Sequence, residues 1–555
     1  MKKNHLLLFL CLAGAAAAQG QNLSKGEIHG NFEIDAQYYN PDSAIGAPAV
    51  PEKALMNGWG NVIYTNGKFS AGLRYESYLN VMQGFDPRYK GTGIPYRYAT
   101  YDNGGLEITV GSSYDQFGSG LVYRAYEDRG LLYDNALDGV RVRYTPAKGV
   151  YLKGIWGKQR TFFTTSPGIV RGFDGEVNLN ELFDSCMAKV KTQIILGGSF
   201  VSKFQADQDP TFVLPENVGA SAGRLNLIRD ITLNEATGKK GQINFYGEYA
   251  YKINDPSTVN GLIYKPGEAI YSSVAYSQKG FGLLLAAKHI DNMNFRSDRT
   301  ATGNAAMINY LPALTRQHTY PLMAYYPYAT QPNGEVSWQA EMSFKLKKGT
   351  LLGGKYGTDI ILNYSAAYGL DSTNLHDEAG RRFGYTAEYF APGDQYFQDI
   401  HIEIGKKLTN KLKGTLMYAS MYYNKNVIEG KSGYPLIPAQ VAVLDVIYRF
   451  TDEIALRTDL EHLYTKEDFG SWALALAELS LAPHWFIAAM DQYNYGNKIE
   501  SKQIHYVNGQ IGYLRGTSRI AIGYGKQRAG IFCVGGVCRF VPASNGFTLV
   551  ITSSF

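Results

Sequence analysis

The feature that most constrains this chain is a two-residue alternation of apolar and polar side chains, held over segments of about ten to fourteen residues and broken by turn clusters. Ile243, Phe245, Gly247, Tyr249 and Tyr251 share one face of such a segment, opposite Gln242, Asn244, Tyr246, Glu248, Ala250 and Lys252. Tyr396, Ile400, Ile402 and Ile404 oppose Asp399, His401 and Glu403. Ala442, Leu444, Val446, Tyr448 and Phe450 oppose Asp445 and Arg449, and Ile454, Leu456, Leu460 and Tyr464 oppose Arg457, Asp459 and Glu461. Strands of soluble sandwiches run about 5–6 residues, whereas strands that cross a bilayer need about 9–11. Past the N-terminus no apolar run approaches the roughly 18 residues of a membrane helix. A chain that spans lipid without helices must close its hydrogen-bond ladder, because lipid offers no partner for a free strand edge.

The spacing of the turns points the same way. Every second connection is short, at 515–518, 482–484, 450–453, 407–410 and 277–280, and the connections between them are long, at 424–436, 370–393 and 293–334. Short turns on one side and long loops on the other characterise outer-membrane barrels. The pattern predicts an all-β fold: a single large transmembrane antiparallel β-barrel of about 24 strands, within 20–26, with long outer loops and short periplasmic turns. An even count places both termini in the periplasm. Patterning is weakest at 115–135, 167–187 and 218–240. Composition agrees. The 555 residues include 61 Gly and 43 Tyr with 19% charged residues, unlike a coiled coil or helical repeat, and 13% aromatics argue against disorder. The net charge of +5 is spread without a basic arm, so no nucleic-acid partner is expected.

Lys2 and Lys3 precede an apolar run over 6–18 that is too short to span a bilayer, and Ala16, Ala17 and Ala18 offer a cleavage site near 18–20. Residues 1–18 are expected to be a signal peptide and residues 19–555 a barrel with no separate plug or periplasmic domain. Cys11 lies inside the apolar run without the small preceding residue that lipidation requires.

The final segment places Phe547, Leu549, Ile551 and Phe555 on one parity and ends in an aromatic, as the assembly signal of outer-membrane clients does. Three further stretches carry a family likeness: Gln116-Phe117-Gly118-Ser119-Gly120-Leu121, Tyr133-Asp134-Asn135-Ala136-Leu137-Asp138-Gly139-Val140, and the run from Cys533 to Pro542. They resemble a family of Bacteroidota outer-membrane β-barrel proteins of unassigned, porin-like function. The tripeptide Ala18-Gln19-Gly20 is similar to signal ends in that phylum. The resemblance implies a fold and a location, and it carries no catalytic residues.

Cys533 and Cys538 flank Val534-Gly535-Gly536-Val537. A Gly-Gly turn makes the two cysteines direct cross-strand neighbours, Cα atoms about 4.5–5.5 Å apart, which suits a disulfide. This hairpin is expected on the outer surface, and Cys186 is left free. A zinc half-site there would lack partners, so no metal and no cofactor is expected. No enzyme motif stands out, and Asp399, His401 and Glu403 read as charges lining a lumen rather than as acid–base groups. Asp207 with Asp209, and Asp371 with Asp377 and Glu378, read as solvated loop acids rather than calcium ligands. Gly-Lys-Gln-Arg occurs at 157–160 and again at 525–528, which reads as coincidence or a surface charge cluster, or, functionally, as a basic lip at the pore mouth that attracts anions. Tyr325, Tyr326, Tyr328, Tyr422, Tyr423, Tyr464, Tyr493 and Tyr495 read as interface girdles.

Asp399, His401, Glu403, Asp445, Arg449, Arg457, Asp459, Glu461 and Arg519 are the expected lumen-lining set. They suit a porin-like channel of the outer membrane passing small hydrophilic solutes. The alternative is a non-enzymatic scaffold barrel within a larger machine for secretion, barrel assembly or surface export. Expected partners are outer-membrane lipid, the barrel-assembly machinery during biogenesis, and other outer-membrane proteins.

Overall fold

The alternating segments form strands, and the strands close on themselves. In the computed structural model, which describes residues 26–555 apart from 188, 235, 237 and 536, one antiparallel sheet contains twenty-four strands. The expected signal peptide and the residue Gly536 lie outside the described residues. The first strand, Glu27–Tyr39, pairs with the last, Ser544–Ser554, in a register running from Asn31↔Ser554 to Tyr39↔Gly546. Phe555 and Gly30 exchange both backbone hydrogen bonds at 2.9 Å, so the chain terminus completes the closure. Closure leaves no sheet edge to meet lipid. Among the described residues no helix is long and apolar enough to cross a membrane.

Parity sorts the two faces. Leu444 is 42% exposed on the outer face while its neighbour Val443 is buried inside, and Ile400, Tyr418 and Leu460 repeat the outward pattern. Tyr38, Tyr422, Tyr464 and Tyr495 are exposed with them, as amphipathic rings at a membrane interface would be. The turns at 450–453 and 482–484 link Ile437–Arg449 to Ile454–Tyr464, and Trp472–Leu481 to Trp485–Tyr493. The asymmetry has exceptions. Two short helices, Leu179–Leu182 and Asp184–Met187, sit at the short-turn end, and the connection after Thr161 at the other end is only a tight turn to Thr164.

The expected loop at 370–393 is mostly strand. Thr358–Asn374 and Tyr385–Lys407 stay paired as far as Asn374↔Tyr385, through register shifts near Tyr368, Leu370 and Ser372. Pro392 falls in that irregular stretch, and bulges that absorb a proline break the two-residue period.

The lumen is filled from within the chain. The connections 114–136 and 292–333 turn inward. Within the first, Asp115–Phe117 pairs with Tyr123–Ala125, and Glu127–Asp128 with Tyr133–Asp134. Arg124 N donates to Ile308 O and Tyr310 N to Gly120 O, both at 2.9 Å, joining the two connections. Phe117, Leu121, Tyr123, Phe295 and Ile308 pack with inward-facing Val170, Val201 and Ala250 into one apolar core. Leu322, Met323, Tyr325, Tyr326 and Tyr328 pack with Met417, Ala419, Val441, Val443 and Trp472 into a second. The internal plug is thus made of two loops that connect barrel strands. Tyr325, Tyr326, Tyr328 and Tyr423 belong to its cores and not to a girdle.

Candidate functional site

The candidate site is the lumen where the plug meets the wall. Strand periodicity aims Asp399, His401 and Glu403 inward from Tyr385–Lys407, Asp445 from Ile437–Arg449, and Arg457, Asp459 and Glu461 from Ile454–Tyr464. The plug segment then meets them in sequence. Arg316 reaches Glu403 at 3.0 Å. His318 Nε2 lies 2.9 Å from Asp399 Oδ2, and His401 Nδ1 lies 3.0 Å from both Asp399 oxygens. The Tyr320 hydroxyl donates to Asp445 at 3.0 Å, and Leu322 N donates to Glu461 at 2.7 Å. Burial beside Asp445 raises the Tyr320 phenol above its ordinary range, so it remains the donor. Arg457 holds Asp445 at 3.1 Å and faces Asp459 at 3.6 Å. Seven of the nine expected residues therefore gather around one inward segment. Arg449 and Arg519 stand apart, exposed near the short-turn end, with Arg519 5.2 Å from the Phe486 ring.

Periodicity missed the partners. Arg316, His318 and Tyr320 lie in a stretch with no alternation, which reads as an ordinary outer loop. Ion pairs carry the other plug loop. Arg160 is buried against Glu76 at 2.5 Å and Asp134 at 2.6 Å, and Arg74 joins Asp134 at 3.1 Å. The first Gly-Lys-Gln-Arg string is thus a docking element and not a lip. In the second, Lys526 pairs with Asp42 at 2.9 Å and Arg528 stacks 4.0 Å from the Tyr325 ring. Asp207 and Asp209 accept backbone N–H groups of Leu214, Thr211 and Phe212.

The stretches that carried the family likeness are plug-docking elements. Gly118 and Gly120 adopt positive φ in a tight turn, where a Cβ on Gly118 would lie 2.4 Å from Glu248 Oε1, and Ser119 N donates to Glu248 at 2.8 Å. Asn135 donates to Arg124 O and Met307 O and accepts from Tyr126 N, bracing both plug loops. Cys533 and Cys538 are paired in a disulfide with Cα atoms 4.1 Å apart, directly opposite in Gly530–Val534 and Val537–Val541. Their hairpin, between the last two barrel strands, also leans onto the plug. Tyr310 donates to Gly535 O at 2.7 Å and Asn304 to Cys538 O at 2.8 Å. Cys186 is free and exposed.

Cavities remain between the plug and the wall. A cavity of about 640 Å³ lies between plug residues His318, Pro321 and Ala324 and the wall of the last strands and the first. That wall presents Gln37, Gln492, Asn508, Gln510, Ser544 and Thr548, with Gly523, Gly525 and Gly546 keeping it thin.

The family model described as "Family of unknown function (DUF6029)" matches residues 1–555. The chain belongs to this family. No curated protein matches it in sequence. Among solved structures, it is similar to the siderophore receptor PirA from Pseudomonas aeruginosa at 10% identity, covering 95% of this chain and 80% of that one, with a TM-score of 0.40. It is similar to the P pilus usher PapC translocation pore at 9% identity, covering 95% and 98%, with a TM-score of 0.43. The outer membrane protein opdK from Pseudomonas aeruginosa matches at 11% identity over 79% and 98%, with a TM-score of 0.35. At these values the likenesses bear on neither substrate nor mechanism. For this DUF6029 member the closed barrel and its internal plug stand on their own geometry.

Proposed function

We propose that this protein is an outer-membrane transport barrel in which small hydrophilic solutes pass the plug on one side, along the wall built by the last strands and the first. Export of the chain through a signal peptide over residues 1–18 and the aromatic C-terminal strand support the location, with both termini periplasmic. The Ala18-Gln19-Gly20 tripeptide supports a Bacteroidota origin. The cavity of about 640 Å³ carries the reading: its wall offers amides, hydroxyls and glycines, together with the basic Lys526 and Arg528 and the apolar Ile531 and Phe532. Hydrogen-bonding walls of this kind, with Lys526 and Arg528 at their margin, hydrate small polar solutes without holding them. The closing test is solute flux into proteoliposomes. Gln510→Trp and Thr548→Trp project into the cavity and should each lower flux several-fold, while Ala250→Val, on the plugged side, should not. Flux unchanged by both tryptophans would refute the route.

The second reading is a scaffold subunit of a larger outer-membrane assembly. It is favoured by the plug itself, since two apolar cores inside a barrel are an unusual way to build an open pore. Stoichiometric partners co-purifying from native membranes in mild detergent, without conductance, would favour it.

A further inference from the structure

Three metal-ligating side chains converge where plug meets wall, and the channel reading uses only His318 among them, as part of a cavity lining. Asp399 and His401 come from one strand and His318 from the plug, and one donor atom from each lies within 4.8 Å of the other two. The Asp399 and His401 side chains are fully buried and His318 is nearly so. The two imidazole rings meet at 69° with centroids 4.8 Å apart. His401 Nε2 is buried and has no hydrogen-bond partner. In the tautomer that donates from Nδ1 to Asp399, this nitrogen holds a bare lone pair, and buried polar atoms are normally satisfied.

The donor set has a definite preference. Two imidazoles and a carboxylate suit Zn²⁺ and its first-row neighbours rather than Ca²⁺ or Mg²⁺, which take oxygen ligands. Donors at about 2.0–2.2 Å from a tetrahedral zinc stand about 3.3 Å from one another. Here one donor atom from each of the three residues lies within 4.8 Å of the others, so a small closing movement of the side chains, which replaces the hydrogen bonds to Asp399, brings them to that separation. His318 also borders the 640 Å³ cavity and a second one of about 200 Å³, so a cation and the waters completing its coordination have access.

We propose that His318, Asp399 and His401 form a divalent transition-metal site that staples the plug to the barrel wall. His318 lies between the Arg316–Glu403 contact on one side and the Tyr320–Asp445 and Leu322–Glu461 contacts on the other. A cation held there ties down the middle of the segment that occludes the lumen.

The test uses untagged, full-length protein in detergent, stripped with a chelator and titrated calorimetrically with Zn²⁺. One equivalent per chain is expected, and Co²⁺ in its place should give visible absorption bands. His318→Ala and His401→Ala should each lower Zn²⁺ affinity at least tenfold and remove those bands, while His484→Ala, in an exposed turn, leaves both unchanged. Zn²⁺ should also slow proteolysis within 313–330 of the wild type but not of His318→Ala. His318 lies outside the barrel strands, so its variant decides the matter even if His401→Ala fails to fold, which heat-modifiable gel mobility will show. Absence of stoichiometric Zn²⁺ binding, or binding undiminished in His318→Ala, overturns the site.

Discussion

Single residues report which way each strand faces. Leu444 meets lipid and Asp445, one position on, meets Tyr320 and Arg457. An arginine at Leu444 should destabilise the barrel by about 2–4 kcal/mol, as cations near the bilayer midplane do. Asp445→Asn keeps the shape and one acceptor for Tyr320 and should cost much less. Urea unfolding of both variants in lipid vesicles checks this, and equal costs would contradict the facing. A second prediction concerns Arg160, which lies buried between Glu76 and Asp134. Arg160→Ala leaves carboxylates without this cation, and breaking such a pair costs about 3–5 kcal/mol. The loss should fall on the plug loop, read as faster proteolysis within 114–136 while the barrel strands stay protected. The direction in which Leu444 and Asp445 point was legible in sequence, because lipid and lumen impose opposite chemistry on alternate residues. The partner of Arg160 was not, because a string of four residues says nothing about what lies across the lumen.

Elements differ in how openly they announce themselves. The strands Ile437–Arg449 and Ile454–Tyr464 show their period along their whole length, since one face meets lipid throughout. The segment 292–333 has no such face. It meets protein on several sides, so its apolar residues follow no period, and it reads as a loop although Leu322, Met323 and Tyr326 are core. The ribbon beyond Leu370 was hidden by its bulges. The cysteine hairpin was legible in register, because Val534↔Val537 and Cys533↔Cys538 follow from a two-residue turn, but its docking onto Tyr310 and Asn304 was not. Replacing both cysteines with serine should leave the barrel folded, since the closed ladder of Glu27–Tyr39 with Ser544–Ser554 holds it. The cross-link closes only a small ring, contributing about 2 kcal/mol. The expected change is local: faster cleavage near 533–538 and unchanged heat-modifiable mobility. Loss of the folded, heat-modifiable form would contradict this.

At the scale of the molecule, the barrel and the plug have separate sources of stability. The wall is held by the closed hydrogen-bond ladder and its lipid face, and the plug by two apolar cores and buried ion pairs against the wall's inner face. This separation means that part of the plug can be removed without unfolding the wall. On the proposed transport function, the intact protein should conduct through the cavity left beside the last strands. Conductance in planar bilayers, compared between wild type and a variant with 313–330 replaced by a Gly-Ser linker of equal length, tests this most directly. A plugged barrel gives small, infrequent openings in the wild type and several-fold larger, persistent currents in the variant. A wild type that already conducts as strongly as the variant would contradict occlusion by this segment.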